Sequence, residues 1–158
     1  MAKNILVPID FNVASLNTLK IALDTHKNEE INVLLIYAYN LSNSITELLF
    51  QSPRKIIQSL TNNEFEDALS ILKNSYESNL KALKIELFYG SNAQAISNFS
   101  ITKKIDLIYI PQRYRLVLKK NGFNPLPLIK NSKIPFKEVS WDADQNTSDT
   151  NTINQLFI

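Results

Sequence analysis

Asp10 is the first residue whose type and place suggest chemistry. It closes the stretch KNILVPID, residues 3–10. Ile5, Leu6 and Val7 form a short apolar run ended by Pro8, as in a strand buried on both faces of a parallel sheet. Pro8 has no N–H to give to a ladder and belongs at the strand's end. Asp10 then lies at the carboxyl edge, where open α/β sheets place their ligands. Under a bound ligand its carboxylate could serve as acceptor or base. Without one it accepts hydrogen bonds from the N–H groups of the next turn, and that structural role is the expected one.

The second group is basic. Residues 111–122, PQRYRLVLKKNG, carry Arg113, Arg115, Lys119 and Lys120, and from Arg113 to Lys137 there is no acidic residue. Guanidinium groups suit phosphate recognition, but a charge run is ordinarily a solvated face, and that reading is preferred. Tyr114, Leu116 and Leu118 alternate with Arg113, Arg115 and Lys119, which predicts an extended, half-buried segment. Tyr114 among these cations also offers a stacking platform for nucleic acid. The net charge of +2 and the absence of a recognition motif speak against that use.

Other candidates take bland readings. His26 falls in the last turn of a predicted helix, where a solvated or dipole-favoured histidine is expected. Glu64, Glu66 and Asp67 lie in the first turn of another helix and complement its dipole. The single His and the lack of cysteine leave no thiolate, disulfide or metal-ligand spacing. There is no nucleophile elbow, Walker loop or glycine-rich dinucleotide fingerprint, so a non-catalytic protein is expected, with no metal and no cofactor.

The elements that must position these residues follow from periodicity. The chain has 158 residues, with 44% hydrophobic and 20% charged, enough for one domain with a sizeable core. No apolar run is long enough to span a bilayer and no signal-peptide pattern opens the chain, so a cytoplasmic location without membrane contact is expected. After a first helix capped by Asn12, residues 31–39, INVLLIYAY, form a second buried strand. Ser52 and Pro53 start a short helix to about Leu60. Asn63 and Glu66 resemble a capping box opening a longer helix, whose apolar stripe runs Phe65, Leu69, Leu72, Tyr76, Leu80 and Leu83. Residues 85–89 are a third strand, Ser91 caps a helix to about Lys103, and residues 106–110 are a fourth strand. A short helix from Asn124-Pro125 and a fifth strand at 136–140 complete the body, residues 1–140. The alternation predicts a parallel sheet with helices on both faces. A polar tail, 141–158, is rich in Asp, Asn and Thr from Asp142, lacks any cation and reads as flexible. Its terminal INQLFI is open to two readings, docking or fraying.

Over residues 1–140 the chain resembles the universal stress protein family. The resemblance rests on ILVPIDF followed by Ser15, Leu19, Ile21 and Ala22; on GSNAQAI at 90–96; and on DLIYI, Gly122 and Pro135 in that order. It implies a three-layer α/β fold, an open five-stranded parallel sheet of order 3-2-1-4-5, and a homodimer formed through the last strand. Family members that bind ATP resemble one another in a loop of Gly, two residues, Gly, nine residues, Gly and Ser or Thr, whose backbone N–H groups approach phosphate. Here Pro111 and Tyr114 stand at the first two glycines, seven residues separate Tyr114 from Gly122, and Phe123 replaces the hydroxyl residue. Tyr37 replaces the small residue beside the adenine. Ordinary ATP binding is therefore not expected. The function implied is a dimeric, non-catalytic stress or regulatory protein with an unknown protein partner. The alternative is a sensor of a nucleotide, ATP or AMP, or of a small anion. It would use Pro8, Asp10, Tyr37, Arg113, Arg115 and Gly122 with Lys119 around a reshaped pocket.

Overall fold

The structure is a computed structural model that describes residues 2–40, 52–119 and 121–141. Five strands, β1 (Lys3–Pro8), β2 (Ile31–Ala38), β3 (Leu80–Phe88), β4 (Leu107–Pro111) and β5 (Phe136–Val139), form one sheet of order β3-β2-β1-β4-β5. Every neighbouring pair is parallel, and Ile5 of β1 lies between Val33 of β2 and Leu107 of β4. The helices are α1 (Leu16–Thr25), α2 (Pro53–Leu60), α3 (Asn63–Ser75), α4 (Ala93–Thr102) and α5 (Leu126–Lys130), with a 3-10 turn at Val13–Ser15 before α1. The fold is the expected α/β class with the expected strand order.

Because β1 is covered on both sides, its successive residues serve two cores. Ile5, Val7, Ile9 and Phe11 join Tyr37, Tyr109 and the apolar faces of α1, α2 and α3. Leu6 joins Ile36, Ala38, Ile108 and Ile110 against Ile96 of α4 and Ile129 of α5. Burial of this kind stabilises by about 1.5–3 kcal/mol per large aliphatic side chain.

The ends of the elements differ in places from expectation. Asn62, not Asn63, caps α3: its side chain accepts from Phe65 N at 2.9 Å. Asn92, not Ser91, caps α4, accepting from Ala95 N at 2.8 Å. Helix α3 stops at Ser75, and Leu80 and Leu83 belong to β3. Their helical spacing continued the stripe by coincidence, while Leu83, Ile85 and Leu87 alternate toward the α2 and α3 side of the sheet. Pro111 sits inside β4, paired with Val139 at the strand's last position, where a missing N–H costs least.

His26 is not solvated. It is 8% exposed at the C-cap of α1. Nδ1 meets the Glu29 carboxylate, and Nε2 lies 2.9 Å from the Tyr109 hydroxyl. The ring packs edge-on against Tyr109 and so ties α1 to β4. The tail, residues 142–158, and Lys120 lie outside the described residues.

Candidate functional site

The site grows from the end of β1. Ile9 N donates to Ile36 O at 2.9 Å, which holds the chain in line with β2 for one more residue. Asp10 follows, fully buried. Phe11 takes φ 63°, a left-handed conformation costly for a residue with a Cβ. Its surroundings hold it there. The Phe11 ring packs 5.2 Å from that of Tyr37 and 5.3 Å from that of Phe65, and Asn62 Nδ2 donates to Phe11 O at 2.8 Å. The turn re-aims the backbone so that Asn12 N donates to Asp10 Oδ1 at 2.9 Å, the Asx-turn expected of this residue type.

The other carboxylate oxygen is engaged from across the sheet. After β4, residues 112–119 run extended over the carboxyl edge as a strap. Tyr114 Oη donates to Asp10 Oδ2 at 2.5 Å, and Val117 N donates to the same oxygen at 2.7 Å. Lys119 N donates to Tyr37 Oη at 2.9 Å. Alternation places Tyr114, Leu116 and Leu118 half-buried beneath the strap and Arg113, Arg115 and Val117 exposed above it. The extended segment predicted from sequence is thus present, though it pairs with no strand.

The strap is fastened at both ends. Gln112 N donates to Val139 O at 2.8 Å, and the Tyr114 ring stacks 4.7 Å from that of Trp141. Trp141 itself donates through Nε1 to Thr18 Oγ1 at 3.0 Å. At the far end Gly122 N donates to Lys119 O at 2.9 Å and Phe123 N to Ala38 O at 3.0 Å. Gly122 is needed for space: a Cβ there would stand 2.1 Å from Tyr37 Oη.

These contacts decide what the candidate residues can do. Pro8, Asp10 and Tyr37 are buried together at the end of β1 and β2, and Gly122 closes over Tyr37. Arg113 and Arg115 do not join them. Both are exposed on the outer side of the strap, and neither forms an ion pair among the described residues. The pocket imagined around Asp10, Arg113, Arg115 and Lys119 is occupied by the chain itself. The Gly122 and Phe123 amides are bonded to the backbone carbonyls of Lys119 and Ala38. A small cavity of about 190 Å³ remains at this edge, lined by Asn40, Tyr89, Gly90, Phe123 and Asn124 among others, without Asp10 or either arginine. Among the described residues no group of three or more His, Asp or Glu side chains could hold a metal ion. No described helix is long and apolar enough to cross a membrane.

Sequence reasoning anticipated a donor from the next turn, which is the Asn12 N–H, and missed two partners. Val117 acts through its backbone N–H, which no side-chain pattern reveals. Trp141 was placed in the tail, yet as the chain's single Trp it carried a signal of burial.

A model of the universal stress protein family matches residues 1–123. The chain belongs to the universal stress protein family. Solved structures agree on the fold. Universal stress protein UspA from Lactobacillus plantarum has a TM-score of 0.55 at 18% identity, covering 87% of this chain and 97% of that chain. A universal stress protein solved in complex with cAMP has a TM-score of 0.50 at 13% identity, covering 87% and 96%. No match was found among curated proteins.

Burial raises the pKa of the Tyr114 hydroxyl, and the hydrogen bond to Asp10 and its charge raise it further. Burial likewise raises Tyr37, Tyr76, Tyr89 and Tyr109. In the unfolded chain all five titrate near the ordinary tyrosine value of about 10. Above that pH the unfolded state holds fewer protons than the folded state, so stability falls as pH rises. The contribution is complete below about pH 10 and is lost progressively toward the raised folded-state values. Urea unfolding between pH 8 and 11 is expected to show a flat region and then a steep fall. Tyr114→Phe is expected to make that fall shallower.

Proposed function

We propose that this universal stress protein is a non-catalytic, dimeric regulatory protein that does not use ATP as an ordinary ligand. The carrying observation is the closure of the carboxyl edge by its own strap: Asp10 accepts from Asn12, Tyr114 and Val117, and Tyr37 fills the space beside them. A ligand seated on Asp10 would have to displace two hydrogen bonds to a buried charge, each worth about 1.5–3 kcal/mol. A cytoplasmic location and an unidentified protein partner go with this reading. The dimer is proposed to form through β5, a sheet edge in which half-buried Phe136 and Val139 flank exposed Lys137 and Glu138. Exposed edges invite pairing. Sedimentation at micromolar concentration is expected to give twice the chain's mass, and monomer alone would remove the dimer from the proposal.

A second reading is favoured by Arg113 and Arg115, exposed and without an ion pair among the described residues: sensing of a nucleotide or small anion through Asp10 and residues 111–122. One solved relative is a complex with cAMP. Here that reading needs the strap to leave Asp10. A thermal-shift titration with ATP, AMP and inorganic phosphate separates the two. A ligand at a hundred times its dissociation constant stabilises by about 2.7 kcal/mol, a plain rise in Tm. No rise is expected with any of the three. A rise with ATP or AMP would replace the first reading with the second.

A further inference from the structure

At the side away from β5 the sheet ends in β3, and that edge is open. Parallel pairing turns the backbone groups of successive residues alternately toward β2 and away from it. Tyr39 N donates to Phe88 O at 2.9 Å, and the register sets Tyr37 beside Leu87 and Leu35 beside Ile85. Ala82, Lys84, Glu86 and Phe88 therefore turn their N–H and C=O groups to β2. Those of Leu83, Ile85 and Leu87 face outward, and none has a partner among the described residues. A groove of about 460 Å³ runs along this edge between β3 and α2, lined by Ile57, Ile85, Leu87 and Tyr89 among others. On the opposite face of the sheet, Lys84, Glu86 and Lys103 border a second cavity of about 270 Å³. Lys84 is exposed and forms no ion pair among the described residues, while Glu86 pairs with Lys103 at 2.8 Å.

We propose that the β3 edge is a docking surface for a second copy of this chain, the two β3 strands pairing antiparallel along residues 83–87. The argument is self-complementarity. A lone lysine on an edge strand blunts pairing. Here a lysine and a glutamate flank Ile85, one on each side. A two-fold axis at Ile85 sets Leu83 of one copy opposite Leu87 of the other and Lys84 opposite Glu86, each match occurring twice. The outward groups of Leu83, Ile85 and Leu87 then meet in hydrogen-bonded pairs. Lys84 and Glu86 fall at the positions between them, where side chains across an antiparallel pair come closest. Ile85 joins its own copy on the α2 side, beside the apolar groove. The charges also fix the register: moving the axis one residue either way sets Lys84 against Lys84 or Glu86 against Glu86, and like charges directly opposite are destabilising. The surface lies at the far edge from β5 and does not depend on the reading of function.

Amide hydrogen exchange reads this edge residue by residue and separates it from pairing at β5. Exchange at Leu83, Ile85 and Leu87 is measured on the full chain, at low salt and over about a hundredfold range of protein concentration. The samples are wild type, K84E, E86K, the double variant K84E/E86K and an equal mixture of K84E with E86K. In wild type the three amides are expected to slow by about tenfold or more as concentration rises. K84E makes both facing positions acidic and E86K makes both basic, so each alone is expected to keep the amides fast. The double variant reverses the charges without spoiling the match and is expected to slow them again. The equal mixture pairs an acidic copy with a basic one and is expected to do the same. Ile9 N–H, bonded to Ile36 O inside the sheet, reports the fold and is expected to stay slow throughout. Wild-type amides that stay fast at every concentration would overturn the proposal. So would slow exchange that persists in both single variants, since the edge would then be covered without this charge match. A mixture that stays fast would overturn it too, as would a quickening of Ile9 N–H alongside the β3 amides, which would assign the effect to unfolding.

Discussion

Asp10→Ala is expected to lower the unfolding free energy by about 3 kcal/mol and to detach the strap from the sheet edge. The residue is fully buried and accepts from Asn12 N, Tyr114 Oη and Val117 N. Removing the carboxylate orphans three donors at once, and a buried donor without a partner costs about 1–3 kcal/mol. The total stays near the lower sum because the strap is only half-buried, so Tyr114 and Val117 can turn to water once released. Asn12 cannot do so without undoing the turn that holds Phe11 at positive φ. Tyr114→Phe should cost about half as much, since Asp10 then keeps two of its three donors. Urea denaturation measures both. A loss under 1 kcal/mol for Asp10→Ala would mean that the strap is held by Trp141 and Tyr37 and that the carboxylate is incidental.

The sheet was legible because its signals are redundant. β1, β2 and β4 are short apolar runs set between turn residues, and the family resemblance then orders the strands. What misled was period. Leu80 and Leu83 sit at helical spacing from Leu72 and Tyr76, yet the same leucine at 83 also opens the two-residue alternation with Ile85 and Leu87. Length and cap chemistry settle the conflict in three dimensions: α3 already has its C-cap at Tyr76, and Asn79 turns the chain by donating to His26 O.

The site was legible in a different sense. By family resemblance, Pro111, Tyr114, the shortened spacing and Phe123 depart from a phosphate loop, and the alternation of Tyr114, Leu116 and Leu118 predicted an extended, half-buried segment. Sequence could not show what takes the vacated role. Closure depends on backbone N–H groups of Asn12, Val117 and Lys119, whose direction follows from the fold and not from side-chain identity. It also depends on Tyr114 and Asp10, 104 residues apart. The basic residues were the loudest signal and the least informative about the pocket, because alternation turns Arg113 and Arg115 away from it. Tyr114, which the family resemblance sets at a loop glycine, instead donates to Asp10 Oδ2.

Tyr37→Ala tests whether the ring or the strap excludes a nucleotide. Tyr37 is fully buried on β2, 5.2 Å from the Phe11 ring, with its hydroxyl accepting from Lys119 N. Truncating a buried aromatic leaves a cavity and costs about 3–5 kcal/mol. Tyr37→Phe keeps the ring and orphans one amide, for about 1 kcal/mol. The difference between the two variants is therefore the packing of the ring alone. Equal losses would show that the hydroxyl, not the ring, fastens the far end of the strap. The same variant carries a functional reading. By family resemblance the ring occupies the neighbourhood of an adenine, so Tyr37→Ala opens room there while leaving Asp10 bonded to Tyr114 and Val117. With the strap still in place, ATP and AMP are expected to leave its Tm unchanged. A nucleotide-dependent rise in Tyr37→Ala but not in wild type would identify the ring as the sole barrier and the strap as a part that yields to ligand.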